Sequence, residues 1–348
     1  MSARREGTVS AARALIELLG LRGVDALLGN PGSEFVPLVE AYAELRDELR
    51  DEPAAVPRPI TVAHESVAVH MAYGAYLASE RPQAVMVHTT VGTANASLAL
   101  MNAARMNIPL LFLAGRTPVS ERGRRGARDK FIHWAQEMFD QGAMVREWVK
   151  WDYELRDAAM LPEVLDRALA IAMSPPRGPV YLMLPRELLY APVQASAITK
   201  TPSVCAESAA APDAHGLREV LAAIGRSRRP LLLTKTAGTR PETVALLERA
   251  VEQQRLAVIS EDAHCVNIAA DHRCFGGFSH AGALSEADLL ICLDVDVPWI
   301  PQRERPRDDA RVVHVGDEPL FSRLPFRGHR GEQMLRCDPA LFLRALGE

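Results

Sequence analysis

In the segment ITVAHESVAVHMAYGAYLAS, residues 60–79, the chain changes from an extended apolar run to a helical period. Val67, Ala68, Met71, Ala72, Ala75 and Tyr76 fall on one helical face, and Glu65 sits at the switch. A carboxylate at an apolar strand end is costly to bury, and a residue of this type in such a place is suited to holding or moving a proton. Two further strand-to-helix switches carry residues of the same kind. GNPGSEF, residues 29–35, makes a tight turn from Asn30, Pro31 and Gly32 and presents Ser33 with open backbone N–H groups at a helix start. HTTVGTANA, residues 88–96, ends a strand with His88 and opens a helix with Thr90, Gly92, Thr93 and Asn95. Alone, each has an ordinary structural explanation: a turn with an N-cap, a core histidine, a helix-start charge that favours the dipole. Ligands in open α/β sheets bind at the carboxyl ends of strands, where all three stand.

The elements that must position them alternate along the chain. DALLGN, ITVAHE, QAVMVHTT, PLLFLAG and PVYLMLP read as strands with helices between them, the pattern of a mainly parallel, doubly covered sheet. Residues 193–211 lose all periodicity, fill with Ala, Ser, Pro and Thr, and read as a linker. RPLLLTK, RLAVISE, ADLLICLD and ARVVHVG then restart the alternation. The fold class is therefore α/β, with two doubly wound, mainly parallel-sheet domains at 1–192 and 212–348, the second Rossmann-like. TKTAGTRPE stands where that second domain would carry a GxGxxG, so no dinucleotide is read from a fingerprint.

Bulk properties exclude several classes. A chain of 348 residues suggests about two domains, and 48% apolar with 24% charged residues describes a globular protein. A net charge of −4 leaves no electrostatic footprint for nucleic acid. No run approaches the roughly 20 apolar residues that span a bilayer. Arg13 and Glu17 interrupt the first apolar stretch, which reads as an amphipathic helix capped near Thr8 or Ser10 and not as a signal peptide. The five cysteines lack CxxC spacing and read as reduced thiols of a cytoplasmic protein, with no metal site of their own. Arg122, Arg124, Arg125, Arg128 and Lys130 read as a solvated loop, with an anion- or subunit-facing patch as the alternative.

In this order, GNPGSE, HE followed by MAYGAYLAS, HTTVGTANA, NIPLLFLAGR, VKW and PRGPVYLMLPRELL resemble the pyrimidine-binding domain of thiamine diphosphate-dependent enzymes over residues 8–190. The group concerned includes benzoylformate decarboxylase and acetolactate synthase-like proteins. The resemblance implies that Glu65 hydrogen-bonds the aminopyrimidine of the cofactor and so promotes loss of the thiazolium C2 proton. It implies a cofactor-binding set of Glu65, Asn30, Pro31, Gly32, Thr90, Gly92 and Asn95. Ser33, His88 and Gln136 would face the substrate, with His88 as acid/base and Phe139 nearby. TTVG departs from the glycine-proline-glycine form common at this loop.

ADLLICLDVDVPWIPQRERPRDDARVVHVGDEP resembles the family's central domain, here expected to be structural and without FAD. The family's diphosphate domain carries GDG and asparagines that hold Mg²⁺. VGDEP has Glu318 at the second glycine, and no Asn follows Asn267. The expectation is thus a large subunit of a split lyase or carboligase acting on a 2-oxo acid. A partner subunit would hold Mg²⁺ and the diphosphate, and two copies of each chain would form a heterotetramer. A non-catalytic regulatory or scaffold paralogue, or a 2-hydroxyacyl-CoA lyase-type subunit, stands as the alternative.

Overall fold

A computed structural model describes residues 7–48 and 55–348. The chain divides into two compact units, Met1–Glu207 and Ser208–Glu348.

In the first unit, β1 (Thr8–Ser10) leads into α1 (Ala11–Leu21), whose start is capped by Ser10 Oγ accepting from the Arg13 N–H at 3.2 Å. There follow β2 (Ala26–Asn30), α2 (Val36–Glu48), β3 (Arg58–Thr61), α3 (Glu65–Ser79), β4 (Gln83–Val87), α4 (Thr89–Arg105) and β5 (Leu110–Arg116). Then come α5 (Ile132–Ala135), β6 (Asp152–Glu154), α6 (Leu161–Met173), β7 (Pro179–Pro185), α7 (Arg186–Tyr190) and β8 (Pro192–Gln194). The main sheet runs β3-β2-β4-β5-β7-β6, every neighbouring pair parallel. Its interior strands β4 and β7 are buried at every residue, as their unbroken apolar runs require of a sheet covered on both faces. Chain order leaves β2 in both directions, to β3 on one side and β4 on the other. The crevice between the carboxyl ends of β2 and β4 is therefore the switch point of the sheet.

Two helices differ from their sequence patterns. α1 is buried almost all round, because Arg13 and Glu17 neutralise each other at 2.8 Å and Arg13 reaches Glu48. α3 buries Ala68, Val69, Ala72 and Tyr76 but leaves Val67 and Met71 50% and 42% exposed. Its apolar stripe is thus wider than the face the sheet and α4 cover.

Part of the stretch read as linker from residue 193 is docked on this unit. β8 pairs antiparallel with β1, setting Thr8 opposite Gln194. Arg22 then holds the Thr199 and Lys200 carbonyls while its guanidinium meets Asp166 at 2.6 Å, both side chains being nearly buried. Asp166 also accepts from the Ser203 N–H at 2.6 Å. Small polar residues carry no periodicity, so such docking has no signature in composition.

The second unit contains α8 (Ala214–Arg226), β9 (Pro230–Thr234), α9 (Pro241–Gln254), β10 (Ala257–Ile259), β11 (Phe275–Gly277), α10 (Ala283–Glu286), β12 (Leu289–Leu293), β13 (Arg311–Gly316), β14 (Gln333–Arg336) and α11 (Pro339–Leu346). Its sheet, β11-β10-β9-β12-β13-β14, is parallel throughout. In the turn after β9, the Gly238 N–H donates to Asn267 Oδ1 at 2.7 Å, and a side chain at Gly238 would meet the Val266 carbonyl. The glycine there serves a loop contact. At the β9/β12 switch, Lys235 lies between Asp262 (2.9 Å) and Asp296 (3.3 Å) beside a cavity of about 390 Å³ that Trp299 and His280 also line.

Removing one partner of a buried ion pair strands the other, at about 3–5 kcal/mol. Asp166→Ala is expected to lower unfolding stability by that order and to expose residues 199–203. Denaturant unfolding and limited proteolysis with mapped cleavage sites check both.

Candidate active site

Three strand ends converge on the switch-point crevice. Glu65 follows β3 as the first residue of α3, Asn30 ends β2, and Asn95 lies on the second turn of α4. Glu65 is 4% exposed, and its two oxygens accept from Asn30 Nδ2 at 3.0 Å and Asn95 Nδ2 at 3.1 Å. Among the described residues no cation pairs with it. The carboxylate is held by neutral amides alone, which orient it without neutralising it. Ser66 Oγ donates to the Asn95 carbonyl at 2.6 Å and ties α3 to α4 beside it.

His64 caps α3, its Nδ1 accepting from the Ser66 N–H at 3.2 Å. His70 Nδ1 meets the Ser66 carbonyl at 2.8 Å. Both rings are engaged in local backbone contacts of the helix.

The GNPGSEF turn supplies a residue that the sequence pattern did not single out as functional. Glu34 is fully buried, and its Oε2 makes a close ion contact with His88 Nδ1. Neither atom makes a hydrogen bond, so the contact is one of charge and not of a well-aligned donor and acceptor. The other Glu34 oxygen accepts from Ser33 Oγ at 3.1 Å. Two glycines make room. A methyl on Gly32 would lie 2.1 Å from His88 Nδ1, and one on Gly115 2.7 Å from Glu34 Cβ. Burial alone would raise the Glu34 carboxyl, but its contacts with His88 outweigh that and hold it below the usual carboxylate range. The Glu34 contact raises His88 above the ordinary imidazole value, against the effect of burial.

On its far side His88 Nε2 meets Gln136 Oε1 at 3.0 Å. Thr90 Oγ1 donates to the Gln136 carbonyl at 2.8 Å. Gln136 belongs to the long loop after β5. Arg186, 5% exposed, grips the Gly126 and Ala127 carbonyls, and Arg128 grips those of Pro118 and His133. Arg116 and Arg128 both contact Glu137. Arg128 is thus a structural clamp inside the basic cluster, whereas Arg122, Arg124 and Lys130 are exposed. Arg125 pairs with Glu40 at 2.7 Å.

Beneath the loop, Gln141 Nε2 donates to Tyr181 Oη at 2.8 Å and to the Gly115 carbonyl at 3.0 Å. Thr93 Oγ1 shares Tyr181 Oη at 2.7 Å. This buried network joins α4, β5, β7 and the loop, and its members are separated too widely in sequence for local spacing to reveal them. Thr89 takes φ +32° at the start of α4, a strained value for a β-branched residue beside the crevice. Gly92 packs against Val87, where a Cβ would approach to 2.8 Å. Pro31 is exposed at the turn, and the Phe139 side chain points fully into solvent.

An open parallel α/β domain with titratable side chains at its switch point is a small-ligand domain. Residues 9–144 match the family described as "Thiamine pyrophosphate enzyme, N-terminal TPP binding domain". Residues 9–144 are thus an N-terminal, pyrimidine-binding domain of the thiamine diphosphate-dependent enzyme family. It is 30% identical over 278 residues to benzoylformate decarboxylase of Pseudomonas aeruginosa, covering 80% of this chain and 49% of that protein. The large subunit of acetolactate synthase isozyme 1 of Escherichia coli is 26% identical over 316 residues, covering 88% and 52%. The solved thiamine diphosphate-dependent 4-hydroxybenzoylformate decarboxylase of Rhodococcus jostii shares the fold at TM-score 0.80 and 22% identity, over 97% of this chain and 62% of that one. The chain spans about half the length of the curated relatives it matches.

The His88–Glu34 contact predicts a pH signature. A raised His88 contributes stability that is complete below its unfolded value of about 6.5 and is lost as pH climbs through the folded value. A lowered Glu34 contributes stability that is present above about 4.5 and is lost as pH falls through its folded value. The stability difference between the wild type and His88→Gln should therefore peak at about pH 5–6 and shrink on either side. Urea unfolding from pH 3 to pH 9 measures it, and a flat difference would contradict the ion pair.

Proposed function

We propose that this chain supplies the pyrimidine-activating and substrate-facing side of a thiamine diphosphate-dependent site that cleaves or forms a carbon–carbon bond of a 2-oxo acid. The Glu65 arrangement carries the reading. Asn30 and Asn95 use two of the carboxylate's roughly four lone-pair positions, which leaves acceptor capacity for a ring nitrogen bearing a shared proton. Its burial at the end of β3 and the absence of an ion-pair partner among the described residues fit a group kept for that purpose.

Bound thiamine diphosphate would supply the carbon nucleophile and the electron sink. Glu65 holds the proton at the pyrimidine nitrogen. Asn30 and Asn95 orient Glu65, and Pro31, Gly32, Thr90 and Gly92 shape the cofactor's rim. His88 holds or transfers a proton at Nε2 toward the substrate, with Ser33 and Gln136 beside it. Relatives named as benzoylformate decarboxylase and acetolactate synthase support the 2-oxo acid class.

We assign the Mg²⁺ and the diphosphate contacts to a second polypeptide, assembled with this one as two copies of each. Support for association comes from the helices flanking Glu65. Val67 and Met71 of α3 and Val91 and Leu98 of α4 are exposed, an apolar set of the kind that interfaces cover. In this reading the second unit is structural, and the protein is cytoplasmic, in keeping with its five unpaired cysteines. No described helix is long and apolar enough to cross a membrane.

Gentle purification from the native cell, with mass spectrometry of bound polypeptides and small molecules, tests the assembly. A stoichiometric second chain together with thiamine diphosphate is expected, and a lone chain without the cofactor would defeat it. In the assembled enzyme, Glu65→Gln should lower kcat by about 10²-fold or more, the scale of a lost proton-transfer group. An unchanged kcat would remove Glu65 from the chemistry.

A further inference from the structure

The geometry points to Glu34 as the residue that positions His88, fixing which ring nitrogen faces the site and keeping the ring cationic there. The inference rests on the reading of His88 as substrate-facing. Its physical basis is a relay across three separate elements. The fully buried Glu34 carboxylate, set in the turn after β2, meets Nδ1 of His88 at the end of β4. Nε2 is directed at Gln136 on the loop after β5, at 3.0 Å. Nδ1 thus lies in ion contact with a carboxylate and Nε2 against an amide oxygen, surroundings that favour the imidazolium.

Glu34 is itself immobilised. Ser33 Oγ donates to its Oε1, and Gly115 and Gly32 leave no spare room around the carboxylate stem or the imidazole edge. A buried carboxylate behind an imidazole selects its tautomer and stabilises its protonated form.

The other charged groups facing the pair do not reverse this. Glu65, on α3, also favours a protonated His88. His133, on α5, lies in the field of Glu34, but burial holds its own proton affinity down, so it does not compete as a cation. The consequence for the reaction is specific. His88 presents a fixed Nε2–H to an anionic group, such as the carboxylate of a 2-oxo acid, and that group must displace the Gln136 amide to reach it. Glu34 acts through His88 and touches neither substrate nor cofactor.

Nuclear magnetic resonance titration of histidine side chains in the full chain tests the inference without any cofactor, the His88 signal being assigned by its loss in His88→Gln. The wild-type His88 midpoint should lie above the ordinary imidazole value. It should fall by about one pH unit or more in Glu34→Gln, a tenfold loss of proton affinity. Glu34→Asp keeps the charge but withdraws it by one methylene, and its midpoint should lie between the two. If Glu34→Gln does not fold, Glu34→Asp alone decides. An unchanged His88 midpoint in a folded variant overturns the proposal.

In the assembled enzyme the His88 limb of the pH profile of kcat/KM should move with the titration, and Glu34→Asp should recover part of the activity that Glu34→Gln loses. A titration shift without a moved limb overturns the positioning role. Absence of thiamine-dependent turnover in the wild type would instead count against the proposed function and leave the titration result standing.

Discussion

Two carboxylates withdrawn from water in one crevice set the terms for the rest of the first unit. A buried charge without partners costs several kcal/mol, and Glu65 and Glu34 meet that cost in different ways. Glu65 is held by two neutral amides, one at the end of β2 and one on the second turn of α4, so it stays a free acceptor with a fixed direction. Glu34 is matched by an imidazole, so its charge is spent on holding His88. One crevice thereby contains an uncommitted carboxylate and a committed one. That asymmetry separates the two proton-handling roles proposed for Glu65 and His88.

The scaffold makes this arrangement stiff. Asn30, Glu65 and His88 sit at the ends of β2, β3 and β4, which are adjacent in a parallel sheet with a buried interior. Side chains placed on such ends inherit the rigidity of the sheet, whereas the loop after β5 must be pinned by separate devices. Arg186 and Arg128 pin it through backbone carbonyls, and Gln141 with Tyr181 pins it from below. Gln136 reaches His88 because these clamps hold its loop in place. The basic cluster that looks like a solvent-facing feature is therefore divided between structural arginines and exposed ones.

The helices around the crevice carry a second kind of information. α3 and α4 are packed on their inner faces and expose Val67, Met71, Val91 and Leu98 on their outer ones. A one-sided amphipathic pattern would have predicted polar residues there. That outer apolar stripe is the surface which the proposed second chain would cover.

Sequence alone determined the α/β class, the main strands, the three switch segments and the identity of Glu65, Asn30, Asn95 and His88 as the residues to watch. Those features are local: an apolar run, a change of period and a turn residue are all read within ten positions. Tertiary structure decided which of them meet. It brought Glu34 to His88 across 54 positions of chain, Gln141 to Tyr181 across 40, and the 192–203 segment onto the first unit. The pairing of Glu34 with His88 leaves only an indirect trace in sequence, two glycines whose missing side chains make the space. Partners separated this far in the chain are selected by the crossing of the parallel sheet, and no local pattern encodes that crossing.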